Sequence, residues 1–228
     1  MLAENSHSGT SDRRRHRLLN RSDAVMSTGA LKRMSWSEYL QRERQAETKS
    51  EFYDGEVFAM AGATRRHNII AVNVAAELRN ALRDGPCETY GSDMRVRCPD
   101  GLGTYPDVSV ACDPLFHDKT QDTLLNPVVI VEVLSPSTEA YDRGRKFQGY
   151  RGIPSLREYL LVSQDRCLIE HYVRQSEFDG WLLTSVSEPD EQIELPTLGV
   201  SLSVNDVFAR VDFSAPDADE ATDSPLGS

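Results

Sequence analysis

The sequence predicts an α/β domain in which a mixed β-sheet is flanked by helices. Three observations carry that expectation. Val128-Val129-Ile130-Val131-Glu132-Val133-Leu134 is apolar on both faces, as in a central strand covered on two sides. Helical periodicity runs over 64–83, and a second helix is expected over 139–150. Asp54-Gly55, between two short runs, signals an N-terminal β-hairpin, because both turn positions need positive φ.

Each element follows in order. The compact region is expected over 34–211. Ser35 or Ser37 caps a first helix through Glu38, Tyr39 and Leu40. The hairpin covers 50–60. In the helix 64–83, Ile69, Val72, Ala76 and related positions recur at helical spacing, and Gly85-Pro86 ends it. Strands are expected near 88–98, 105–112 and 127–134. Ser135-Pro136 breaks the last of these, and Thr138 caps the helix that follows, which Gly152-Ile153-Pro154 stops. Strands near 157–163, 167–174 and 181–187 finish one mixed sheet, with short helical turns near 204–210.

The ends differ from this body. Residues 1–33 lack a hydrophobic period and hold Arg13-Arg14-Arg15-His16-Arg17. They read as a disordered basic extension, with Met26 or Met34 as an alternative start, or else as a nucleic-acid arm. Residues 212–228 read as a disordered acidic tail. The 228-residue chain has a net charge of −11, and 34–211 alone has 18 Lys and Arg against 28 Asp and Glu. This acidity counts against broad, tight binding to phosphate backbones but not against small cations. Cys87, Cys98, Cys112 and Cys167 fit no zinc or CxxC spacing, and no apolar run reaches the ~20 residues of a membrane span. The expectation is a cytoplasmic protein with reduced thiols and no membrane association.

Three residues stand out chemically. Glu132 interrupts an aliphatic strand, where an ionised carboxylate is costly unless it meets a cation or a metal. Asp107 follows Pro106 at the start of a strand, on the face of Ser109 and Ala111. If the two strands are neighbours, both carboxylates can share one hard cation, Mg²⁺ or Mn²⁺. Lys146 lies in line with Asp142 and Tyr150 on the helix after Glu132. It is placed to steady developing negative charge, or else it forms a surface pair with Asp142. His67 opens the helix 64–83 as a proton carrier, a phosphate contact or a local packing residue. Arg65 and Arg66 beside it are the candidate phosphate contacts at a helix N-terminus.

Pro106-Asp107, Val131-Glu132-Val133-Leu134-Ser135-Pro136-Ser137-Thr138, and Asp142, Lys146 and Tyr150 resemble the Uma (Uma-two) family of endonucleases. Glu51-Phe52-Tyr53-Asp54-Gly55-Glu56, His67-Asn68 and Tyr159-Leu160-Leu161-Val162 extend the likeness to about residues 34–210. The family belongs to the restriction-endonuclease-like PD-(D/E)XK superfamily. The resemblance implies that fold, divalent-metal catalysis on nucleic acid, and a homodimer. It implies Asp107 and Glu132 as metal ligands. It also implies that Lys146 replaces the motif lysine, since Leu134 stands two residues after Glu132. A further acidic group is implied, from Glu51, Glu56 or Glu77. Two functions remain open: a metal-dependent nuclease, favouring DNA, and a non-catalytic module that keeps the fold for dimerisation or partner binding. Another phosphoester hydrolase is a third option.

Overall fold

The computed structural model describes residues 33–60, 62–177 and 180–214. The basic extension up to Lys32 and most of the acidic tail lie outside the described residues. Strand β8 (Val129–Leu134) is wholly buried and sits inside a six-stranded mixed sheet. The sheet order is β11 (Trp181–Val186), β10 (Ile169–Arg174), β9 (Glu158–Ser163), β8, β6 (Val108–Cys112) and β3 (Cys87–Gly91). Only β8 and β9 run parallel; the other neighbours are antiparallel. A parallel pair needs a crossover. Here it is the helical segment 139–151, which returns the chain over one face of the sheet.

The opposite face is covered by α2 (Arg65–Leu82), whose Ile70, Val74 and Leu78 pack on Val108, Val110, Val129 and Val131. Thr64 caps this helix by accepting from the His67 backbone N–H. A C-terminal hairpin, β12 (Gln192–Leu195) with β13 (Val200–Ser203), and the short α5 (Val204–Val207) close that side. The expected helical turn near 204–210 is therefore present, and the hairpin before it was not foreseen. Buried Glu158 ties this hairpin down: it accepts from Thr197 N–H at 2.7 Å and meets His171 Nε2 at 2.6 Å.

A second, five-stranded sheet lies over the crossover side. Its order is β2 (Glu56–Ala59), β1 (Ser50–Tyr53), β5 (Gly103–Thr104), β4 (Arg95–Arg97) and β7 (Thr123–Leu124). The single sheet expected from sequence is thus two. The run 88–98 bends at Ser92-Asp93, so β3 joins one sheet and β4 the other. The predicted hairpin is present, with Asp54 at φ 49° and Gly55 at φ 85°. Helix α1 (Trp36–Glu43) starts with a capping box between Ser35 and Glu38.

Two further expectations change. Cys87 and Cys112, read as separate thiols, pair across β3 and β6 and form a disulfide; Cys98 and Cys167 are free. A spacing of 25 residues carries no hint of that pairing; only the strand register creates it. Thr138 stands at the helix start, but its side chain caps no helical N–H and instead meets Ser135 Oγ at 3.0 Å. No helix among the described residues is long and apolar enough to cross a membrane.

Candidate active site

Register assembles the site. Val108 lies opposite Val131, and Ser109 opposite Ile130, on antiparallel β6 and β8. That ladder ends at Val108, and Asp107 immediately precedes it, beside the Glu132–Val133 end of β8. The Val133 backbone N–H donates to Asp107 Oδ2 at 2.7 Å. His67, at the first turn of α2, reaches the same oxygen with Nε2 at 3.2 Å. Both strand ends and the start of the helix therefore fix one carboxylate.

Glu132 is 2% exposed. Its Oε1 accepts from the Tyr150 hydroxyl at 2.7 Å and lies 3.1 Å from Lys146 Nζ. Lys146 is 7% exposed and also meets Asp142 Oδ1 at 2.9 Å and Glu51 Oε1 at 3.7 Å. Glu51 comes from β1 of the second sheet, where it also accepts from the Thr104 hydroxyl. The lysine is thus held by acids from three directions: its own helix, the central strand and the opposing sheet.

The crossover that carries Lys146 is not a plain α-helix. Between α3 (Glu139–Tyr141) and α4 (Phe147–Arg151), residues Asp142–Lys146 form a π turn, in which the Phe147 N–H bonds the Asp142 carbonyl. That carbonyl also accepts from the buried Tyr159 hydroxyl at 3.1 Å. In a straight α-helix, eight residues overshoot two turns by about 80°. The extra residue in the π turn takes up part of that angle, so Asp142, Lys146 and Tyr150 all point at Glu132. The expected alignment of these three is present, through a device the spacing did not reveal.

Electrostatics follow from burial. Burial pushes the Glu132 carboxyl well up, against the pull of Lys146, and nearby Asp142 and Asp107 push it further. Burial likewise raises Asp142, with Lys146 opposing. Burial works against a charged Lys146, but Glu132, Asp142 and Glu51 outweigh it and hold the ammonium well above its ordinary value. For His67, burial is outweighed by the Asp107 carboxylate, which favours the protonated ring. Three carboxylates, those of Glu132, Asp142 and Glu51, thus surround one lysine.

The donor chemistry suits a hard cation. Asp107, just before β6, and Glu132, on neighbouring β8, offer carboxylate oxygens, and Mg²⁺ is commonly held by one or two carboxylates, with waters and phosphates completing its shell. Among the described residues, no group of three or more His, Cys, Asp or Glu is arranged to hold a metal. The residues present fit that two-carboxylate mode, and no all-protein cage.

Of the other residues singled out, Glu51 joins the cluster. Glu56 is exposed at the start of β2. Glu77 sits ten residues beyond His67 on α2, roughly 15 Å along the helix axis. Arg65 is exposed at the N-terminus of α2, but Arg66 is buried and faces inward, so the two do not form one surface spot. Arg143 pairs with Glu139 and Glu170, and Arg145 with Asp100. Thr104 was not singled out from sequence, and Tyr159 entered only as part of a strand that resembles the family. Neither breaks a local pattern, and only the tertiary fold aims them at the cluster.

A mixed sheet with a buried acid on its central strand and a lysine on the crossover defines a restriction-endonuclease-like fold. The solved structure titled "Crystal structure of a putative nuclease belonging to DUF820 from Anabaena variabilis" matches at a TM-score of 0.62 and 18% identity. The match covers 76% of this chain and 96% of that one. The family model Uma2, described as "Putative restriction endonuclease", matches residues 36–205, and the chain belongs to that family. It is 39% identical to the uncharacterized protein slr1290 of Synechocystis sp. over 182 residues, 79% of this chain and 94% of that protein. It is 40% identical to sll1609 of the same organism over 172 residues, 75% of this chain and 97% of that protein.

Proposed function

We propose that the protein is a Mg²⁺- or Mn²⁺-dependent endonuclease that hydrolyses phosphodiester bonds of nucleic acid, with DNA the favoured substrate. The observation that carries this reading is that Asp107 accepts from the Val133 N–H at 2.7 Å, beside Glu132 on β8, with Lys146 Nζ 3.1 Å from Glu132. Asp107 and Glu132 would hold the ion, which when bound supplies Lewis acidity toward the phosphodiester and makes water a better nucleophile at neutral pH. Tyr150 fixes the Glu132 carboxylate through its hydroxyl. The Val133 N–H and His67 fix Asp107. Lys146 keeps its proton and balances negative charge that builds on the phosphate. Arg65 adds an exposed cation at a helix N-terminus, where anions are already favoured. In this reading the protein acts in the cytoplasm and, like many proteins of this fold, as a homodimer.

One observation favours a second reading, a non-catalytic module: Lys146 already pairs with Glu132 and Asp142 inside a closed cluster. Calorimetric titration of Mn²⁺ into the full chain separates the two. The nuclease reading expects binding by wild type, and its loss in both Asp107→Ala and Glu132→Ala, with loss of cleavage of a DNA substrate. A folded wild type that binds no Mn²⁺, even with DNA added, sinks the nuclease reading and leaves the module.

A further inference from the structure

Beyond the carboxylate cluster, the same helix borders a second feature. Phe147, Gln148 and Arg151 of α4, Tyr172 of β10, Trp181 of β11 and Gly180 just before it line an open cleft of about 560 Å³. Its walls are flat and aromatic. Phe147 stacks on Tyr159 with centroids 5.0 Å apart, lies 4.7 Å from Tyr172, and meets Trp181 edge-on at 5.4 Å. All three lining rings are half-buried, with part of each open to solvent.

The charge at this cleft opposes that of the chain. The Arg151 guanidinium lies 5.3 Å over the Phe147 ring, and that of Arg174 lies 4.8 Å over Trp181. Among the described residues, no carboxylate lines the cleft and none of the ion pairs engages Arg151. A protein of net charge −11 therefore presents arginine and aromatic faces together here. That combination matches a ligand with flat π faces on an anionic backbone.

Place in the fold links the cleft to the cluster. Phe147 directly follows Lys146. Trp181 pairs with Arg174, whose row crosses the sheet to the start of β8, on the face that carries Glu132. Four residues along the strands and three strands across separate Trp181 from Glu132, roughly 20 Å. A stacked strand advances about 3.4 Å per nucleotide, so about six nucleotides span that distance.

We propose that the Phe147–Tyr172–Trp181 cleft, with Arg151 on its rim, stacks a base of a single-stranded stretch of the substrate. The proposal rests on the nuclease reading and narrows its substrate class. Duplex bases are already stacked on each other and cannot enter such a cleft without unpairing.

The test uses the full-length protein in EDTA, so that nothing is cleaved. Fluorescence anisotropy measures binding of a labelled oligothymidylate of about a dozen residues and of a blunt duplex of equal length. The single strand is expected to bind about ten-fold more tightly than the duplex and to quench intrinsic fluorescence, since Trp181 is one of two tryptophans. Trp181→Ala weakens the single strand about ten-fold, and Trp181→Phe, which keeps a ring, weakens it less. Arg151→Gln weakens it and flattens its salt dependence, whereas Arg83→Gln, a distant exposed control, does neither. Unchanged affinity in folded Trp181→Ala and Arg151→Gln overturns the proposal, as does a preference for duplex. A parallel cleavage assay with Mn²⁺ keeps the two readings apart. Asp107-dependent cleavage with an indifferent cleft removes this proposal alone. No binding and no cleavage of either probe removes both.

Discussion

The two faces of the central sheet are built to different rules. Under α2, Ile70, Val74 and Leu78 meet Val108, Val110, Val129 and Val131, an aliphatic layer with its buried Glu158–His171 pair between β9, β10 and the C-terminal hairpin. Under the crossover, Ile130, Leu134, Tyr150 and Tyr159 enclose Glu132, Asp142 and Lys146. The same strand supplies both, because alternate residues of β8 point to opposite sides. The first face stabilises by removing apolar surface from water. The second places charge where charge is costly, and is held by pairing. One strand therefore lines an apolar layer on one side and a buried charged cluster on the other.

The largest effect is expected at Lys146. Lys146→Met leaves the buried carboxylates without their cation and should cost about 3–5 kcal/mol in urea unfolding. Glu132→Gln/Lys146→Met, which removes one charge of each sign, should recover part of that loss. A double mutant no better than the single would break the claim that charge compensation, and not packing, governs this face. The pH dependence has a definite sign. A lysine raised in the fold stabilises fully below its unfolded value of about 10.4, and that contribution is lost as pH rises toward its folded value. Wild type should therefore lose stability at alkaline pH more steeply than the double mutant.

Leu78→Ala should cost about 3 kcal/mol through its cavity, since Leu78 is fully buried. Its cost should be independent of pH, and Mn²⁺ affinity in calorimetry should not change. An altered Mn²⁺ affinity would show that the two faces are coupled through β8. The smallest effect is Tyr150→Phe, about 1.5 kcal/mol for a bond to a charged acceptor. The Glu132 carboxyl should move further up, because the hydroxyl favours its ionised form. Infrared carboxyl bands followed against pH would read that shift.

Much of this was legible in the sequence, for a physical reason. Glu132 and Asp107 break strong apolar patterns, and strand alternation assigns them a face. Helical spacing brought in Lys146, Asp142 and Tyr150. The choice among Glu51, Glu56 and Glu77 was not legible, because it depends on where the second sheet docks, and no local periodicity encodes that. The burial of Arg66 depends on the same tertiary packing. The split of 88–98 between two sheets turns on a bend at Ser92-Asp93 inside an otherwise strand-like run. The Cys87–Cys112 pairing depends on a register that only the assembled sheet defines.

The π turn also sets how this chain tolerates changes in length. Gly144 lies exposed at its middle and contacts nothing that a side chain would displace. Substitution there should pass almost unnoticed, yet deletion should not. Removing one residue would close the turn into an ordinary α-helix and swing everything after it by about 100°. Tyr150 would leave Glu132, and Phe147 would leave Tyr159. The loop between β6 and β7 could lose a residue with far less consequence. In this protein the crossover position with most room for a side chain occupies the place where the count of residues is most strictly fixed.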